Sequence, residues 1–128
     1  MFRVREGRCV VALYREVEEF IDGLDPKARR KIFAKLKFLS EACQFNKPEQ
    51  WKPLRGTMCR EYDIWELKPK PYRLAFFKDN FKGKNCFVVF AAWKKEGGKR
   101  DRELIGRICG EAPSIIELWN KFKRQEEI

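Results

Sequence analysis

The sequence predicts an α+β domain, with helices laid on a mostly antiparallel four-stranded sheet. Three observations predict it. A short, wholly apolar run near the N-terminus passes directly into two helical patterns. Three strand-like segments then follow across connectors too short for a crossover. Helical periodicity returns only towards the C-terminus. The expected order is β-α-α-β-β-β-α with one further helix.

Cys9 to Tyr14, CVVALY, has strand character and suits burial on both faces. A helical pattern follows, with Val17, Phe20, Ile21 and Leu24 on one side and Gly23 as its stop. Asp25-Pro26 is a helix start, an N-cap with proline at the first helical position. From it Ala28, Ile32, Leu36, Leu39 and Cys43 form one stripe, so two antiparallel helices are expected. Residues 44–60, with Pro48, Pro53 and Gly56, read as a loop. Strands are expected at Glu61 to Lys68, Tyr72 to Asp79 and Cys86 to Lys94, joined by Pro69-Lys70-Pro71 and by Asn80 to Asn85. Asp101 can cap a helix ending at Gly110. Ser114 and Glu117 form a capping box for a last helix over 113–126.

In the last strand Phe87, Val89, Ala91 and Trp93 alternate with Cys86, Val88, Phe90 and Ala92, so both faces are apolar. The helix hairpin can cover one face. The other needs the C-terminal helices or a second protein.

The 128 residues fit one domain, 1–128, and an apolar content of 44% is enough to close a single core. Lys and Arg number 29 against 19 Asp and Glu, a formal net charge of +10. That excess favours a polyanionic partner through phosphate neutralisation and counterion release. Met1 to Arg8 is too charged for a signal peptide and no apolar run is long enough for a membrane helix. A cytoplasmic protein without membrane contact is expected. The five cysteines stand singly at 9, 43, 59, 86 and 109. An odd, dispersed set fits a disulfide framework poorly, and Cys43, Cys86 and Cys109 read as small core side chains. Histidine is absent. Its absence removes Ser-His-Asp and Cys-His mechanisms, the paired-histidine route to RNA cleavage and the commonest metal ligand. No metal or cofactor is expected, and any catalysis must run on Lys, Arg, Tyr, Asp, Glu or Cys.

In order along the chain, GLDPKARRKIFAKLKFL, KPLRG, IWELKPKPYRLAFF and FVVFAAWKKEGGKRDRELI resemble the RelE/ParE toxin superfamily. Within it the chain is most similar to the HigB and phage-derived branch. The family's "glyElR" strand corresponds to Ile64-Trp65-Glu66-Leu67-Lys68, its "yRi" start to Tyr72-Arg73-Leu74, and its aromatic-x-KK strand end to Trp93-Lys94-Lys95. The match covers roughly 9–109 and leaves the helix over 113–126 outside it. The resemblance implies a RelE-like fold and the toxin of a type II toxin–antitoxin pair. It implies a ribosome-dependent, metal-independent mRNA endoribonuclease (an mRNA interferase) that contacts mRNA and ribosomal RNA. A co-expressed antitoxin would silence it in a hetero-oligomer.

Metal-free RNA cleavage needs a base for the 2′-hydroxyl, cations for the anionic phosphorane and an acid for the leaving 5′-oxygen. Arg73 is the first choice for the phosphate, because a guanidinium fork fits two phosphate oxygens. Lys68, in place of the family's usual arginine, and Lys95 join it as catalytic candidates. Glu66 is a candidate base or a structural partner of one of these cations. Lys70, Tyr72 and Lys94 are expected to touch RNA at the same rim, with Tyr72 stacking on a base or packing in the protein. The helix from Lys27 to Lys37, with six basic residues and no acidic one, could grip phosphates together with Lys52 and Arg55. The basic loop Lys94 to Arg102, with Lys99 and Arg100 in it, would flank the cleft. Ala91, Ala92 and Gly97-Gly98 stand where some relatives carry histidine or tyrosine. A ParE-like gyrase inhibitor that cleaves nothing, and a non-toxic protein-binding relative, are the competing readings.

Overall fold

The computed structural model describes residues 1–45, 47 and 49–127; Pro48, in the expected loop, lies outside them. The elements in chain order are β1 (Phe2–Glu6), β2 (Val10–Tyr14), α1 (Arg15–Asp22), α2 (Pro26–Ala42), β3 (Trp51–Pro53), α3 (Thr57–Glu61), β4 (Trp65–Leu67), β5 (Tyr72–Phe81), β6 (Lys84–Lys94) and α4 (Gly98–Glu126). The predicted α+β class holds. The sheet has six strands rather than four, in the order β1-β2-β6-β5-β4-β3. β2 runs parallel to β6 and every other pair is antiparallel.

The two additional strands are the edges. β1 alternates charged residues with Phe2 and Val4, and β3 spans three residues. Neither contains a run long or apolar enough to read as a strand, and pairing with a neighbour is what makes each one. The central hairpin is longer than expected because β5 and β6 turn through only Lys82 and Gly83, both at positive φ (50° and 78°). That conformation suits a two-residue turn between right-twisted strands.

Asp25 caps α2 as predicted, its carboxylate accepting from the Ala28 N–H at 2.9 Å with Pro26 in the first turn. Val17 and Ile21 of α1, with Ile32, Leu36 and Leu39 of α2, bury against Val11, Leu13, Leu74, Phe76, Phe87 and Val89. The opposite face carries Val10, Ala12, Phe77, Val88 and Phe90, and α4 covers it with Ile108, Cys109, Ala112, Ile115 and Trp119. The chain itself therefore closes the second apolar face.

Two expectations change here. α4 is one helix through Pro113, so the Ser114–Glu117 capping box does not form. A mid-helix proline loses a hydrogen bond and costs about 3 kcal/mol. The single buried stripe from Ile108 to Trp119 needs an unbroken helix, and its burial outweighs that cost. Asp101 still serves the helix start, accepting from the N–H groups of Glu96 (3.2 Å) and Gly97 (2.8 Å). Second, the alternation of β6 slips. Ala75 pairs with Ala91 and Phe76 with Val89, leaving Phe90 as the extra residue of a bulge. The bulge moves Ala91 and Trp93 to the α4 face, away from Phe87 and Val89.

Cysteine usage is also corrected. Cys9 bonds Cys43, and Cys59 bonds Cys109, leaving Cys86 as the free thiol. Single spacing in sequence says nothing about distance in space. The left-handed C-cap at Cys43 returns the end of α2 to the start of β2, and α4 crosses α3 at Cys109. No helix among the described residues is long and apolar enough to cross a membrane.

Candidate functional site

The α4 face of the sheet gathers charge at one end. Register places Lys52 of β3 opposite Glu66 of β4, Glu66 opposite Ala75, and Arg73 of β5 opposite Trp93 of β6. With period-two alternation, Lys52, Glu66, Lys68, Arg73 and Lys95 share that face. The turn before β5 is held by the Tyr72 N–H donating to Pro69 O (2.9 Å) and the Lys95 N–H donating to Pro71 O (2.9 Å). Lys68 is anchored by its own N–H to Gln50 O at 3.0 Å.

Glu66 and Arg73 are both buried, only 5% and 6% exposed, and pair at 3.5 Å between Oε1 and Nε. Arg73 Nη1 also donates to Tyr72 O at 2.9 Å. The guanidinium is thus turned into the protein, and Glu66 stands as its structural partner. The ammonium of Lys68 lies within electrostatic reach of four charges. Burial pushes its pKa down first, then repulsion from Lys52, Arg73 and Lys95, against an opposing pull from Glu66. Four cations around one carboxylate leave a local excess of three positive charges.

A cleft of about 560 Å³ opens beside this cluster, between the β3–α3 loop and α4. Lys52, Arg55, Glu66 and Arg102 line it, with Cys59 and Cys109 in its wall. Arg102 ends the basic stretch Lys94 to Arg102 expected to flank the cleft. It lies on α4, and the crossing of α4 over α3 brings it into the same lining as Glu66.

The other candidates lie elsewhere. Tyr72 packs edge-on against Phe20 of α1, with centroids 6.0 Å apart, on the helix-hairpin side. Lys94, its neighbour in register, follows it there. The carbonyl of Lys70 accepts from Lys31 Nζ. Lys99 and Arg100 form exposed pairs with Glu103 and Glu96 one helical turn away. The structure therefore gathers Lys52, Glu66, Lys68, Arg73 and Lys95 in one cluster, places Lys52, Arg55 and Glu66 in the lining of the cleft beside it, and leaves Lys70, Tyr72, Lys94, Lys99 and Arg100 apart from both. A larger concavity, about 630 Å³, follows α2 and contains none of the proposed catalytic residues.

The sequence pattern described as "Phage derived protein Gp49-like (DUF891)" matches residues 19–108, most of the chain and all of the cluster just described. The chain belongs to the Gp49-like family. An uncharacterised protein of Aquifex aeolicus (strain VF5) is 32% identical over 99 residues, covering 76% of this chain and 70% of that protein. The fold is similar to a chain of the archaeal RelE–RelB complex from Pyrococcus horikoshii OT3, with a TM-score of 0.52 at 15% identity. That likeness covers 67% of this chain and 93% of the other. The expected phage-derived branch is thereby met by the family, and the expected RelE-like architecture by the fold. The matched region of this Gp49-like chain stops at residue 108, so most of α4 lies beyond it.

Proposed function

We propose that the protein is the toxin of a type II toxin–antitoxin pair, acting in the cytoplasm as a metal-independent mRNA endoribonuclease at the ribosome. The observation that carries this reading is the cluster of Lys52, Lys68, Arg73 and Lys95 around Glu66, beside a cleft that Lys52 and Glu66 line together with Arg55 and Arg102. An excess of fixed cations beside a cleft suits the backbone of RNA and the added charge of a phosphorane. Lys68 takes the proton-transfer role, since a lowered ammonium pKa moves it towards the operating range of an acid–base group. Lys52, Arg55, Arg102 and Lys95 hold phosphates. Arg73 adds positive charge behind Glu66 and reaches the phosphate once RNA competes for that pairing. Lys70, Lys94, Lys99 and Arg100 contribute a wider basic surface for ribosomal RNA, and Tyr72 serves packing. The antitoxin is the expected protein partner, in keeping with the RelE neighbour, which was solved as a complex with RelB.

One observation favours a toxin that binds without cutting. Arg73 is buried and already paired, so the guanidinium fork is not presented to a ligand. Expression of wild type, Lys68→Gln and Arg73→Ala from a tight promoter, with primer extension on an abundant message, separates the two. Codon-phased cuts lost in both variants support the nuclease. Growth arrest with intact message overturns it and moves a gyrase-type target to first place.

A further inference from the structure

The face of α2 turned away from the sheet has a composition that neither the fold nor the cleft uses. Lys31, Ala34, Lys35, Phe38 and Ala42 fall at i, i+3, i+4, i+7 and i+11, one ridge of the helix. With Gln44, Phe45, Lys47 and Gln50 they wall the groove of about 630 Å³. Its floor is aromatic: Phe38 and Phe45 stack with centroids 5.2 Å apart, and Phe38 remains 50% exposed. Phe33, on the same helix, is 48% exposed. Along the ridge the sizes run small, large, small at Ala34, Phe38 and Ala42. Among the described residues lining the groove none is acidic, and Lys31, Lys35 and Lys47 stand around it.

We propose that this groove docks an acidic amphipathic helix of a partner protein, its apolar stripe seated on Ala34, Phe38 and Ala42 and its carboxylates against Lys31, Lys35 and Lys47. The small–large–small row takes the ridge of a second helix laid along α2, as ridges pack into grooves. Positive charge around an apolar floor selects against basic and neutral helices. A nucleic-acid strand would use the lysines, but it has nothing to place in the methyl-lined notches at 34 and 42. One face of the Phe38 ring is also already taken by Phe45. The basic run over Lys27 to Lys37 thus serves protein recognition on this side. Since α2 packs on the sheet face opposite the cleft, either reading can fail alone.

The test uses the full chain and three fluorescein-labelled probes in roughly 0.15 M salt. One is an acidic peptide of about 18 residues with leucines at helical spacing. The second has the same composition in scrambled order, and the third is a single-stranded RNA of similar charge. The patterned peptide is expected to bind roughly tenfold more tightly than the scrambled one. Phe38→Ala, and Ala34→Gln at an exposed position that cannot threaten folding, should each weaken it about fivefold with circular dichroism unchanged. Lys52→Glu, in the cleft, should leave it unaltered. Equal binding of the two peptides, or indifference to both groove variants, overturns the proposal. RNA binding that Phe38→Ala abolishes also overturns it and makes the groove a nucleic-acid surface.

Discussion

The two faces of the sheet are closed by different means. The α1/α2 face is covered by the segment that follows β2 directly, and its contacts are almost wholly aliphatic and aromatic. The α4 face is covered by a helix remote in sequence from most of what it touches. Polar devices are built into it: the Glu66–Arg73 pair, and Asp79 accepting from Trp119 Nε1 at 2.7 Å and from Lys123 Nζ at 3.0 Å. Each face also has one disulfide, Cys9–Cys43 holding α2 to the start of β2 and Cys59–Cys109 holding α4 to α3. A face made by local chain needs only complementary surfaces. A face closed from a distance gains from directional groups that fix where the distant helix lands, as Asp79 does for Trp119 and Lys123 of α4.

The largest test of this contrast is Trp119→Ala. Its side chain is fully buried among Phe2, Phe81 and Phe122 and holds the Asp79 carboxylate. Loss of about 4–5 kcal/mol is expected from the cavity and the lost hydrogen bond. Ile32→Ala, on the other face, should cost about 3 kcal/mol. Equal losses in chemical denaturation would show that the polar anchors add nothing.

Next comes the ion pair. Glu66→Ala strands a buried guanidinium and is expected to cost about 3–4 kcal/mol, whereas Glu66→Leu with Arg73→Met should recover most of it. Recovered stability without recovered growth arrest would separate the pair's proposed role in the site from its structural one.

The disulfides sharpen the comparison from another side. Loop closure over separations of 34 and 50 residues predicts about 4 kcal/mol for each, nearly alike for the two faces. Thermal melts of Cys43→Ala and Cys109→Ala check this, and a much larger loss for Cys109→Ala would mean that α4 depends on its staple.

The smallest effect is in acid. Burial pushes the Asp79 carboxyl up, but hydrogen bonds from Trp119, Lys123 and the Asn80 backbone together hold it below its ordinary 3.8. A depressed carboxylate stabilises the fold fully above its unfolded value, and the contribution disappears as pH falls through the folded value. Wild type should therefore lose stability more steeply than Asp79→Asn below about pH 4. On the same face Cys86 is pushed up to about 12, chiefly by burial and then by Asp79. It should resist iodoacetamide at pH 8 until the chain unfolds.

Legibility in the sequence follows the same division. β2, α1, α2 and the β5–β6 hairpin were readable because local periodicity, the Asp25-Pro26 start and short connectors specify them. β1, β3 and α3 were not, since three- to five-residue elements exist only by pairing or packing. The bulge at Phe90 left no mark in an uninterrupted apolar run. Pro113 argued for a break that tertiary burial overrode. Of the candidate site, Glu66, Lys68 and Arg73 were readable from their strand positions. The place of Arg102 and the Cys59–Cys109 disulfide depend on where α4 crosses α3, and Cys9–Cys43 on where the end of α2 meets β2; no local pattern encodes either meeting.

The ends of the sheet limit how any other macromolecule can approach. One edge is β1, studded with Arg3, Arg5 and Glu6 and tied to α1 through Arg3–Glu18 at 2.9 Å. The other is β3, three residues ending in a proline that has no N–H to give. Charged side chains on β1, and the brevity and terminal proline of β3, discourage another strand from extending either border. Fibre-like self-association through strand addition is thereby disfavoured, and helix surfaces and the cleft are the better-suited places for another macromolecule to bind.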